Sequence, residues 1–163
     1  EASIPGLRLG YVLAPEEVIS AMEKMKQYTT LAPDTLGQKA LLKFYENGVK
    51  ERYLKEVVIP TYKRRRDVMW KLIKEYLPEA KTVLPPGAFY FFVDIRPYLE
   101  IMGRTDKEFA SRLLYRKEVV VIPGSYFGKR GEGHIRMTFV SETEDRIRDG
   151  MERINEFVLS YTL

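Results

Sequence analysis

Two arginines in this sequence stand where a guanidinium could do chemistry. Arg8 lies in PGLRLGY, just after the Pro5-Gly6 turn and inside an apolar run. A charge buried there among Leu7, Leu9 and Tyr11 must be partnered, because leaving it unpaired is costly. Its planar fork suits a bidentate phosphate or carboxylate, and an internal salt bridge to an Asp or Glu would satisfy it equally. Arg136 lies in HIRMTFV. Strand alternation puts Ile135, Met137 and Phe139 on one face and turns Arg136 and Thr138 to the other. Just before it runs PGSYFGKRGEG, whose four glycines let backbone come close to a ligand. An arginine beside such a loop suits a substrate carboxylate, at about 1.5–3 kcal/mol per charge-assisted hydrogen bond. The alternative is an exposed strand arginine with no ligand.

Other chemistries are excluded by residue type. There is no cysteine, which removes thiol nucleophiles, thiolate metal sites and disulfides together. His134 is the single histidine, so histidine zinc clusters are out and no metal site is expected. A Ser–His–acid site would have to use His134, and nothing near it in sequence supplies an orienting group; a structural role is expected. GSYFGK at Gly124 to Lys129 has three residues between its glycines where a phosphate loop has four, and Arg130 where Ser or Thr should stand. Lys63-Arg64-Arg65-Arg66 reads as a solvated helical turn in preference to a phosphate-backbone contact. The 27 basic residues are mixed with 23 acidic ones along the chain, for a net charge of +4. That is how a soluble surface looks, and no nucleic-acid partner is expected. No apolar run approaches the roughly 18 residues that cross a bilayer, so no membrane partner is expected either, and the expected location is cytoplasmic. Abundant Lys, Glu and Tyr against two Gln and two Asn lean towards a thermophilic source.

Specific elements must position these groups. LRLGYVLA, Leu7 to Ala14, reads as a strand buried on both faces. Pro15 then opens a helix with Glu16 and Glu17 in its first turn and Val18, Met22 and Met25 on one stripe. A second helix carries Leu41, Leu42 and Tyr45 and stops at Asn47-Gly48. Apolar residues from Leu54 to Tyr76 predict one long helix over Val49 to Leu77, bent or split by Pro60. AFYFFVDI, EVVVIP and HIRMTFV are strand-like. Between the first two, Thr105 and Glu108 form a capping box ahead of Phe109 and Leu113. The last helix starts near Ser141, with Ile147, Met151, Ile154, Val158 and Tyr161 on one face. At 163 residues the chain can build one ordinary core.

SIPGLRLGY, PPGAFYFFVDI and VVVIPGSYFGKRGEGHIRMTF resemble, in this order and at these distances, three signatures of the fold-type-I aminotransferases. These are the pyridoxal-phosphate (PLP) enzymes of the aspartate aminotransferase class. The resemblance covers the whole chain and implies an α/β fold with an α+β small domain. Residues 1–47 would be the C-terminal remnant of the large coenzyme-binding domain, one strand plus helices. Residues 48–163 would be the long connecting helix and the small domain, a sheet packed with helices.

By the same resemblance Arg8 binds the PLP phosphate and Arg136 the substrate α-carboxylate. Phe89 to Ile95 is implied to be structural, and Tyr28 to Pro33 to lie near a subunit interface. The family's Schiff-base lysine stands eight residues before the phosphate-binding arginine, one residue before Glu1. The expectation is therefore a chain with no catalytic residue of its own, inactive alone, from a parent that moves an amino group from an amino acid to a 2-oxo acid. Aspartate comes first as substrate, with aromatic amino acids and alanine next. A homodimer or other self-association is expected. Two alternatives remain: a non-catalytic interaction module of this fold, or the aminotransferase-like half of a transcription regulator.

Overall fold

The computed structural model describes residues 3–161. They form two compact units, Glu1–Pro60 and Thr61–Leu163, and each is described by itself.

In the first unit, Pro5–Leu7 is a single 3-10 turn, closed by the Arg8 amide donating to the Pro5 carbonyl. Leu7 to Ala14 was expected as a buried strand and is not one. Leu7 ends the 3-10 turn, Arg8 to Ala14 run without regular structure, and Tyr11, Val12 and Leu13 are exposed. An apolar run becomes a strand only where another strand completes its ladder, and no strand among the described residues pairs with it. Helix α1, Glu16–Thr29, opens with its two glutamates at the positive end of the helix dipole. Its apolar stripe lies at the surface: α1 buries no residue. Helix α2, Thr35–Tyr45, is capped by Asp34, whose carboxylate accepts the Leu36 and Gly37 amides at 3.0 Å each. A Cβ on Gly37 would strike that carboxylate, so the glycine makes room for the cap. Asn47 and Gly48, both at positive φ, then turn the chain as the Asn-Gly pair predicts.

The long helical stretch is interrupted where proline demands it. Helix α3, Val49–Tyr53, passes through a π turn at Leu54–Val58 into α4, Ile59–Tyr76. Pro60 has no amide hydrogen to offer the Glu56 carbonyl. The turn before it widens instead, and the Ile59 amide donates five residues back to Leu54.

The second unit holds a three-stranded antiparallel sheet in the order β1-β3-β2. Strand β1 is Tyr90–Asp94, β2 is Ile122–Pro123 and β3 is His134–Thr138. EVVVIP pairs over two residues only. The inner face of the sheet, Phe91, Val93, Ile135 and Met137, is buried against α4 and three further helices: α5, Arg96–Met102; α6, Asp106–Lys117; and α7, Glu144–Leu159. Phe109, Leu113, Met151 and Phe157 complete this core, each contributing about 1.5–3 kcal/mol on burial. The expected capping box is present, with Thr105 Oγ1 accepting the Glu108 amide and Glu108 accepting the Thr105 amide. On α7, Ile147, Met151, Ile154 and Val158 are buried as their spacing predicts.

Lys81 and Thr82 run alongside β1, opposite β3. Lys81 and Asp94 exchange backbone hydrogen bonds of 3.1 and 2.8 Å, and the Thr82 hydroxyl donates to the Phe92 carbonyl. The Asp94 side chain is buried and accepts from the Arg96 amide at 3.1 Å, from Nε at 2.9 Å and from Nη2. These bonds from Arg96 hold its carboxyl down at about 2 against the tendency of burial to raise it. The Arg96 stem in turn lies across Gly133, at φ 78°, where a Cβ would overlap it.

Candidate active site

The outer face of the sheet carries the side chains that the inner face leaves over. Alternation along β3 turns Arg136 and Thr138 outward, as expected, while Ile135 and Met137 are buried. Along β1 the outward residues are Tyr90 and Phe92, 39% and 40% exposed. The register sets Arg136 opposite Phe92 on one side and opposite Ile122 on the other.

Two rings hold the Arg136 guanidinium. Its Cζ lies 4.3 Å from the centroid of Tyr90 and 4.7 Å from that of Phe127. Both distances are those of a cation over an aromatic face. Phe127 arrives on a 3-10 turn, Gly124–Phe127, that glycine geometry makes possible. The backbones of Gly124 and Gly131 meet so closely that a Cβ on either would overlap the other's carbonyl. The buried Asp106 at the start of α6 fixes the same turn, accepting the Ser125 amide at 2.7 Å. Phe92 then stands 6.0 Å from Phe127 edge-on and stacks on His134 at 4.9 Å. His134 has its Nδ1 3.0 Å from the Glu132 carbonyl.

A cavity of about 760 Å³ opens beside β3, with Tyr90, Ile122, Arg136, Thr138, Arg146 and Arg153 on its wall. Arg146 pairs with Glu142, and Arg153 with Asp149 and Glu118. Arg136 has no carboxylate partner among the described residues. Its charge and its five N–H donors are available to an anion.

Arg8 lies in the first unit and Arg136 in the second. Contrary to expectation Arg8 is exposed, not buried among apolar side chains. It is a non-glycine residue at φ 53°, and its Nη1 donates to the Pro5 carbonyl at 3.3 Å. It too lacks a carboxylate partner among the described residues. The three arginines of the Lys63–Arg66 cluster find partners within the chain, and Lys63 is exposed. Arg65 donates to the Val140 carbonyl at 2.8 Å, Arg66 to Pro85 and Asp67, and Arg64 faces Glu144 at 3.5 Å. Among the described residues no group of acidic or histidine side chains could hold a metal ion, and no helix is long and apolar enough to cross a membrane.

Sequence reasoning missed Tyr90, Phe127 and Asp106 as parts of the site. The alternation that located Arg136 applies equally to YFFVD and would have placed Tyr90 outward; the ring contacts themselves depend on strand register.

A helix-backed antiparallel sheet thus presents, beside a glycine-rich loop, a ring-held arginine with no carboxylate partner among the described residues. Comparison with known proteins gives the chain a family. Residues 1–154 match the family model described as aminotransferase class I and II, and the chain belongs to that family. It is 36% identical to an aspartate aminotransferase of Pyrococcus abyssi over 155 residues, 94% of this chain and 38% of that protein. It is 34% identical to aromatic-amino-acid aminotransferase 2 of Thermococcus litoralis over 155 residues, again 94% and 38%. Among solved structures, an aromatic aminotransferase from Pyrococcus horikoshii superposes with a TM-score of 0.83 at 34% identity, covering 98% of this chain and 40% of that one. The chain thus spans about two fifths of the length of the relatives it matches.

Proposed function

We propose that this chain is the C-terminal part of a PLP-dependent aminotransferase that transfers an amino group from an amino acid, aspartate first, to a 2-oxo acid. Residues 1–47 belong to the coenzyme-binding domain in this reading, and residues 48–163 form the connecting helix and small domain. The observation that carries it is Arg136: an outward strand arginine, held by rings and free of any carboxylate partner among the described residues. Its role is to fix the substrate α-carboxylate, and with it the orientation of the amino group.

Arg8 is proposed to hold the coenzyme phosphate. Exposed, cationic and without an acid partner among the described residues, it fits a phosphate dianion. The coenzyme, when bound, supplies the electron sink that makes the substrate α-proton removable. The residues described here bind and orient; none of them is assigned the proton transfer. The chain by itself is therefore proposed to bind carboxylates weakly, about millimolar at best for a single clamp, and not to turn substrate over. Assembly as a homodimer is part of the same reading.

The test follows the Arg136 Nε–H signal by NMR while succinate is added, alongside an assay of amino transfer from aspartate to 2-oxoglutarate with PLP present. A saturable shift of that signal is expected, with no turnover above that of free PLP. Arg136→Lys removes the planar fork and should weaken binding by roughly 10-fold or more, from about 1.5–3 kcal/mol per lost bond. An unmoved signal refutes the clamp, and ordinary enzyme turnover refutes the inactivity.

A second reading, a non-catalytic interaction module, has one observation in its favour. Val18, Met22, Met25 and Tyr28 are all exposed on α1, with Tyr28 at 90%. Such an apolar row is a surface suited to a protein partner.

A further inference from the structure

We propose that Tyr90 and Phe127 are positioning residues for Arg136, holding its guanidinium ready for a carboxylate without consuming its charge or its donors. This rests on the reading of Arg136 as a carboxylate clamp. The three arginines on the cavity wall show the distinction. Arg146 and Arg153 are held by carboxylates, which neutralise them and occupy their N–H groups. Arg136 is held by rings at 4.3 and 4.7 Å. An aromatic face attracts the cation through its quadrupole but offers no lone pair in competition with an incoming anion. An arginine must be still before it can bind tightly, because freezing a long, rotamer-rich side chain is otherwise a cost of binding. Rings confer that order while leaving the full charge in place.

The two rings come from separate elements, and each is itself fixed. Tyr90 opens β1, paired with Thr138 two residues along β3 from Arg136, so strand register sets its place. Phe127 ends the turn that the Gly124–Gly131 contact closes and Asp106 anchors. Phe92 stands against Phe127, and His134 against Phe92. The order of the guanidinium is therefore tied to β1, to the glycine-rich loop and to the first turn of α6.

The experiment uses the full 163-residue chain, labelled with 15N, in four forms: wild type, Tyr90→Leu, Phe127→Leu and Tyr90→Phe. Side-chain relaxation gives the order parameter of the Arg136 Nε–H bond, and succinate titration gives the affinity. Both leucine variants should lower the order parameter towards flexible values, below about 0.6, and weaken succinate about three- to tenfold. Tyr90→Phe, which keeps the ring and removes the hydroxyl, should match wild type in both measurements. Urea unfolding of each variant separates this from a general loss of structure, since the replaced rings are 39% and 51% exposed. Wild-type order and affinity in both leucine variants would overturn the proposal while leaving the carboxylate clamp standing. Loss of order in the variants, with no succinate response in wild type, would instead overturn the clamp, and the positioning role with it.

Discussion

Replacing Asp94 with asparagine tests how the β1–α5 junction is held. Asparagine keeps an oxygen that can still accept the Arg96 amide, so the substitution chiefly removes the charge facing the guanidinium. The Asp94 carboxyl sits at about 2 in the fold against 3.8 unperturbed, pulled down first by the side-chain bonds from Arg96. A difference of this size corresponds to about 2.5 kcal/mol at neutral pH for a fully shielded pair. Asp94 is buried, but the Arg96 side chain is 61% exposed and solvent screens its end of the pair. The expected loss in Asp94→Asn is therefore about 1 kcal/mol at pH 7. The sign follows from the depressed value: the stabilisation is present above pH ~4 and is lost as pH falls towards about 2. Urea unfolding of parent and variant, followed by far-UV circular dichroism between pH 7 and pH 2, measures both quantities. The two stability curves should lie apart at pH 7 and converge below pH ~3. A variant as stable as the parent at pH 7, or a gap that persists undiminished at pH 2, would refute the assignment.

Gly131→Ala would drive a methyl into the Gly124 carbonyl and should cost about 1–3 kcal/mol by urea unfolding. The same substitution should shift the Arg136 Nε–H resonance, because Phe127 rides on that turn. Phe109→Ala, at a fully buried ring edge-on to Phe157, should destabilise by about 3–5 kcal/mol, read by thermal or chemical unfolding. Thr105→Ala breaks the capping box of α6 and should cost about 1 kcal/mol; the same alanine at the exposed Lys107 is the control and should cost next to nothing.

Much of this architecture is written in short-range pattern. The capping box at Thr105 and Glu108 needs only a spacing of three, and the faces of β3 need only a period of two. The π turn before Pro60 follows from one missing amide hydrogen. Helix α5 escaped because seven residues are too few for a periodic stripe, although RPYLEIMG carries a proline at its start and a glycine at φ 58° after its end. The reading of Leu7 to Ala14 as a strand failed for another reason: a strand is a property of two segments, and one apolar run specifies only half of it. The same limit governs the site. Arg136 could be placed outward from its own strand, but the rings that hold it lie 46 residues before it and nine before it in a loop, and only β1–β3 register and the Gly124–Gly131 contact bring them there. The burial argued for Arg8 assumed an apolar surrounding that the run of Leu7 to Ala14 does not itself supply.

The rims of the small sheet have a consequence for assembly. A strand with a free row of N–H and C=O groups is a template on which another chain can grow. Here the rim at β1 is covered by Lys81 and Thr82, which take the Asp94 backbone groups and the Phe92 carbonyl. The rim at β2 is two residues long, and one of them is Pro123, which has no amide hydrogen to give. Growth of the sheet from one copy into the next is thus discouraged at both ends, the device by which a short sheet avoids seeding a fibre. A second copy that met this unit would not do so by extending its sheet.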